Sequence, residues 1–301
     1  MTDVRATPNR RTILLGLLGG AASAVSGCAD LGGPAVSNAE PVPPPGSAEI
    51  QGIAAPVPPP LPPPPPDPAT LIAKYAGAVP HEWGLAVTGT RTRLAAAGPR
   101  MTLTFDGCGG PRGSAVDAEL IALLEREHLP ATLFLNTRWI DANRELTDRL
   151  AANPLFELAN HGTRHLPLSV TGRSAYGIAG TASVSEVIDE VMVNHQRLQE
   201  ITGVAPRWFR PGTAHCDEVA AAVVRDLGEE VVGFTVNGDF GATASAGHVQ
   251  SATAGSTPGS IVIMHLNRPH GATAAGLAAA LPALRAEGRA FVTLGGAGGL
   301  A

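Results

Sequence analysis

Lysine is nearly missing from this 301-residue chain: Lys74 is the single one among 21 basic residues, set against 26 acidic ones for a net charge of -5. A mildly acidic chain without a basic stripe has no electrostatic footing for nucleic acid. Cysteine is scarce as well. Cys28, Cys108 and Cys216 are too few for a disulfide scaffold, and their spacing is unlike that of a zinc ribbon. Apolar runs are short, and the first, Ile13 to Leu18 with its flanking glycines, is too brief to span a bilayer as a stable helix. Phosphate loops are also wanting, because Gly107-Cys108-Gly109-Gly110 lacks the spacing of a dinucleotide or nucleotide fingerprint.

What is present divides the chain into three. Residues 1–28 read as an export signal: Arg5, Arg10 and Arg11 give a positive start, an apolar stretch follows, and Val25-Ser26-Gly27-Cys28 closes it. Asn9-Arg10-Arg11 resembles a twin-arginine signal and Val25 to Cys28 a bacterial lipobox, which predicts a lipid anchor on Cys28 and a place in the cell envelope, facing the periplasm or exterior. A plain cleaved signal is the alternative. Residues 29–68 form a tether, with 14 of the 27 prolines between Pro41 and Pro68. Proline cannot donate a backbone hydrogen bond and favours a stiff, solvated left-handed helix, so these positions reach on the order of 85 Å. Residues 69–301 are long enough for one domain with a sizeable core, and nothing in them calls for more than a monomer.

In that domain short apolar runs alternate with helical segments. Strands are predicted near 101–105, 131–136, 155–159, 207–210, 231–236, 260–264 and 290–294, and helices near 116–128, 184–202, 217–227 and 273–287. The clearest helix sets Val184, Val187, Ile188, Val191, Met192, His195 and Leu198 on one face, with Ser183 and Glu186 as a capping box. Seven such units predict a distorted (β/α)7 TIM-like barrel, with an open doubly wound sheet as the alternative.

In a barrel the residues just after the strands gather at one mouth. Asp106 follows Met101 to Phe105, His161 and His165 follow Leu155 to Asn160, Arg210 follows a short run, and His265 follows Ile261 to Met264. Two imidazoles four residues apart can converge on a metal ion. In this order Thr104-Phe105-Asp106, His161-Gly162-Thr163-Arg164-His165, Phe209-Arg210-Pro211-Gly212, Phe234 to Phe240 and Ile263-Met264-His265 resemble the five motifs of polysaccharide deacetylases of the NodB-homology type, carbohydrate esterase family 4. The resemblance covers about 99–294. It implies hydrolysis of the N-acetyl groups of an amino-sugar polysaccharide, with Asp106 as general base, His161 and His165 on a divalent metal, commonly zinc, and Arg210 orienting Asp106. His265 would be the general acid and Asp239 would fix its tautomer.

One position departs from that pattern. Family members usually carry a second aspartate, a metal ligand, where this chain has Gly107. Asp106 would then join His161 and His165 on the metal, or Cys108 would supply a thiolate, or the site would hold metal weakly or not at all. Cys108 and Cys216 are also candidates for a disulfide after export. Residues 166–182 read as a flap or groove wall, and Phe240 as a sugar-stacking aromatic, with Trp139 and Trp208 more at home in the core. His195 reads as packing or surface, and His215, His248 and His270 as loop residues. Two other functions fit: hydrolysis of a small C–N substrate on the same fold, and a catalytically silent glycan-binding lipoprotein.

Overall fold

The computed structural model describes residues 66–301. The export signal expected at 1–28, with its expected lipid anchor at Cys28, and nearly all of the tether expected at 29–68 lie outside these residues. The described part falls in one compact unit. No helix in it is long and apolar enough to cross a membrane.

The chain opens with helix α1 (Pro68–Lys74), capped by the Asp67 carboxylate, and strand β1 (Thr90–Arg91). Strand β2 (Arg100–Gly107) leads to α2 (Ala118–Arg126), whose N-cap is Asp117. Then come β3 (Ala131–Leu135), α3 (Thr137–Ala142), α4 (Arg144–Ala151), β4 (Phe156–Asn160), and the long α5 (Val184–Thr202). The second half runs through β5 (Trp208–Phe209), α6 (Glu218–Asp226), β6 (Glu230–Val232), β7 (Val236–Asn237) and α7 (Ala246–Ala254). It closes with β8 (Ile261–His265), α8 (Thr273–Ala286) and β9 (Ala290–Phe291).

Every pairing between these strands is parallel, in the order β1-β6-β5-β4-β3-β2-β8-β7, with β9 beside the start of β2. The connectivity forces this sheet to curl. β6 and β7 stand six neighbour steps apart, about 29 Å in a flat sheet at about 4.8 Å per step. Only residues 233–235 join them, and from Val232 to Val236 the chain reaches at most about 14 Å. The two edges therefore come round towards each other, and just past β1 the chain bridges Arg93 to Ser260 at the foot of β8. β1 and β7 do not pair with each other, so the barrel is distorted and incompletely closed. The predicted strand at 231–236 is two strands, β6 beside the β1 edge and β7 on the opposite edge, broken at Gly233-Phe234-Thr235.

Alternation along the strands fixes what faces where. Met101, Leu103 and Phe105 of β2 join Val262 and Met264 of β8 in a core cluster with Leu120 and Leu124 of α2 and Leu277, Leu281 and Leu284 of α8. Thr104 and Asp106 take the other face. On α5 Ser183 caps the N–H of Glu186, while the Glu186 carboxylate reaches the N–H of Ala182 and not that of Ser183, so the predicted box closes one residue early.

Candidate active site

Strand register brings the polar residues to one level. Asp106 stands opposite His265 across β2 and β8, and Gly107, Leu135, Asn160 and Phe209 align across β2, β3, β4 and β5. One residue beyond Asn160 and Phe209 come His161 and Arg210. The mouth therefore collects Asp106, His161 and Arg210, all essentially buried, with His165 and His265 partly open to solvent.

Arg210 is wholly enclosed and stacked 4.1 Å over the Phe134 ring. Its guanidinium donates to Asp106 Oδ1 at 2.8 Å, to Thr104 Oγ1 at 2.9 Å, and to the carbonyls of Val232 and Gly233 at 3.1 Å. Burial alone would raise the Asp106 pKa. Arg210, then His161 and His265, outweigh it and hold the carboxyl below its ordinary value. Across the mouth, Asp239 accepts Nδ1–H of His265 at 2.8 Å, the His265 backbone N–H at 2.7 Å and the Thr273 hydroxyl at 2.9 Å. The His265 Nε2 is left for the cavity. Burial opposes its protonation, but the bond to Asp239, followed by the nearby Cys108, raises its pKa well above the usual imidazole value.

The histidine pair is held from behind. His161 Nδ1 donates to the Arg210 carbonyl at 2.8 Å, so Nε2 turns to the mouth, 3.6 Å from Asp106 Oδ2 and 3.8 Å from Cys108 Sγ. Gly162 follows with a φ of 75° and no room for a side chain, since a Cβ there would stand 2.5 Å from Glu190 Oε1. Glu190, buried on α5, accepts the backbone N–H groups of Thr163, Arg164 and Leu166, which shapes the loop carrying His165. Beneath it Asn160 links Glu229, Asn194 and the N–H of Gly162, and Glu229 also bonds His195. Burial pushes the Glu229 pKa up to about 7. His195 is thus a buried partner in this network. Glu190 and Asn194 escape a sequence reading because their partners, loop N–H groups for Glu190 and the Leu135 carbonyl with the Asn160 and Thr137 side chains for Asn194, lie far off along the chain.

A donor set for a cation is present. The ligand atoms of Cys108, His161 and His165 all lie within 4.8 Å of one another. His161 shows the arrangement common to metal-binding imidazoles, with the far nitrogen tied to a carbonyl and the near one free. Asp106 approaches His161, while its other oxygen is taken by Arg210. Cys216 is elsewhere, buried beside Thr90 with its thiol pushed up to about 12 by burial, and both cysteines are free, which corrects the expected disulfide.

Two cavities, of about 380 and 400 Å³, meet over Cys108, His165, Gly241 and His265. Tyr176 from the 166–182 segment and Phe240 stand on the rim, 80% and 54% exposed. His165, Tyr176, Thr213, Ala214 and Phe240, five of the seven non-glycine residues with positive φ among the described residues, line the larger cavity. Such backbone strain concentrates where a site dictates geometry. Trp139 and Trp208 are core residues, and His270 is exposed.

Residues 95–232, which carry Asp106, His161, His165 and Arg210, match the polysaccharide deacetylase family model. This stretch is a polysaccharide deacetylase domain. The family's deacetylases are hydrolases of the amide bonds in N-acetylated polysaccharides. The deacetylase domain shares its fold with a family 4 carbohydrate esterase from Bacillus anthracis, at 21% identity and a TM-score of 0.54 over 72% of this chain and 95% of that one. It is similar at 20% identity and a TM-score of 0.52 to the Bacillus subtilis family 4 carbohydrate esterase PdaA, over 77% and 90% of the two chains. A family 4 pseudoenzyme from Bacillus anthracis aligns at 19% identity and a TM-score of 0.56, over 68% of this chain and 66% of its own. In sequence the chain is 27% identical over 95 residues to the uncharacterised protein YlxY of Bacillus subtilis (strain 168), and spans a quarter of that relative's length.

Proposed function

We propose that the deacetylase domain hydrolyses the N-acetyl groups of an amino-sugar polysaccharide. The observation that carries this reading is the pair of polar couples facing each other on neighbouring strands: Asp106 with Arg210 and His265 with Asp239, above cavities that run together at the mouth. Amide hydrolysis needs a base for water, stabilisation of the oxyanion and a proton for the departing amine. Asp106, kept ionised and aimed by Arg210, takes the proton from water. His265, charged through Asp239 and presenting Nε2, gives one to the amine nitrogen. His161 and His165 would hold a divalent ion, expected to be zinc, which would supply Lewis-acid polarisation of the carbonyl and of the water.

Joined cavities with aromatic side chains on the rim suit a chain of sugars better than one small amide. Tyr176 and Phe240 offer flat faces for sugar rings. Replacing either by Ala is expected to raise KM for an N-acetylglucosamine oligomer about 3- to 10-fold while leaving kcat nearly unchanged. Acetate release from a panel of N-acetylated glycans and small amides, with and without chelator, tests the reading. Release from glycans that stops with chelator supports it, and release from small amides alone transfers the function to a small C–N substrate. The same reading puts the domain in the cell envelope on a lipid anchor at Cys28, supported by Arg10-Arg11 and Ser26-Gly27-Cys28.

A further inference from the structure

We infer that Cys108 is the third protein ligand of the metal, a thiolate that supplies the donor Gly107 cannot, and that Asp106 stays off the ion. This deepens the reading above and rests on it only for the presence of a metal.

The inference starts from the pleat of β2. That strand runs through Gly107, two residues past the end its sequence predicts, so alternation holds to its tip. Thr104 and Asp106 face Arg210 at the mouth, whereas a Cβ on Gly107 would lie 3.1 Å from Leu135 and 3.2 Å from Trp139, away from the mouth. No side chain at 107 reaches the histidines from this backbone. Cys108 returns to the mouth face, where its Sγ stands 3.8 Å from His161 Nε2 and within 4.8 Å of the His165 ligand nitrogen. Among the described residues this trio is the one group whose donor atoms converge as a metal site requires. Asp106 has Oδ1 anchored by Arg210, and although its Oδ2 stands 3.6 Å from His161 Nε2 it is not one of the three groups whose donor atoms converge; a carboxylate bound to an ion is also a weaker base.

The chemistry of the donors then selects the ion. Two imidazoles and a thiolate form a soft set that prefers zinc or cobalt to magnesium, calcium or manganese, which seek oxygen. On binding, the Cys108 S–H proton leaves to solvent and the freed sulfur electron pair forms the metal–sulfur bond. A covalent role is the competing chemistry, because Cys108 also lines the cavities with His265, whose Asp239 partner would complete a nucleophilic triad. The approach to His161, whose Nδ1 is locked on a carbonyl, favours ligation.

Cobalt reports a sulfur ligand without any substrate. The purified full chain is stripped with chelator and reconstituted with Co2+ alone, as wild type, Cys108→Ser and Asp106→Asn. The expected result is a near-ultraviolet thiolate-to-cobalt charge-transfer band in the wild type, retained in D106N and lost in C108S. Zinc affinity is expected to fall at least about 100-fold in C108S, the upper end for losing a group that only orients a ligand. Wild-type protein supplies a check free of folding changes: Zn2+ should slow alkylation of Cys108 by iodoacetamide, followed on the Cys108 peptide by mass spectrometry. A band that persists in C108S, a band lost in D106N, zinc-independent alkylation, or an acetyl group trapped on Cys108 in chelated protein would each overturn the inference.

Discussion

Replacing Asp106 by Asn is expected to lower kcat for acetate release by about 10²- to 10⁴-fold, the range a positioned acid or base supplies. Asn keeps the shape and a hydrogen bond to Arg210, yet cannot take a proton from water. Glycan affinity, measured by calorimetry on an unhydrolysed oligomer, should change less than about threefold, because the sugar contacts proposed above lie on the rim at Tyr176 and Phe240 and not at Asp106. A silent glycan-binding protein would show no kinetic consequence at all, and a fold that depended on the charge of Asp106 would lose binding along with turnover.

Arg210 carries the largest expected effect on stability. Its guanidinium is fully enclosed and makes four hydrogen bonds from the end of β5 to Thr104 and Asp106 of β2 and to the carbonyls of Val232 and Gly233 at the end of β6. Replacing it by Met leaves Asp106 buried without its cation, which costs about 3–5 kcal/mol. Chemical denaturation should show this as a fall in midpoint. The same substitution made in the Asp106→Asn background should cost less, since no charge is stranded. Equal costs in both backgrounds would mean that packing over Phe134, and not the ion pair, is what Arg210 contributes.

Much of the site could be read from the chain because strand ends leave a plain signature. Met101 to Phe105 and Ile261 to Met264 are apolar runs that stop at a single polar residue, and parallel strands deliver those residues to one level. The fate of position 107 could not be read in this way. Whether Gly107 or Cys108 faces the mouth depends on β2 continuing straight to its tip, and that is set by pairing with Leu135 on β3. Residues 231–236 look like one apolar strand, but at Gly233-Phe234-Thr235 the chain crosses from β6, next to one sheet edge, to β7 on the other, and no local pattern encodes such a crossing. Glu190 and Glu229 were hidden for a different reason. A carboxylate beside apolar residues reads as solvent-facing until its partners, loop N–H groups for one and Asn160 and His195 for the other, are in place.

The central claim is that a base on β2 and an acid on β8 share one amide between them. A pH profile of kcat/KM for acetate release, wild type against Asp239→Asn, tests it most directly. His265 must carry its proton to act, so activity falls as pH rises through its pKa. Asp239 raises that pKa well above the usual imidazole value. The account predicts a bell whose basic limb lies above the ordinary histidine range in the wild type and moves to lower pH in D239N, while the acidic limb set by Asp106 stays in place. Superimposable profiles for the two proteins would contradict it.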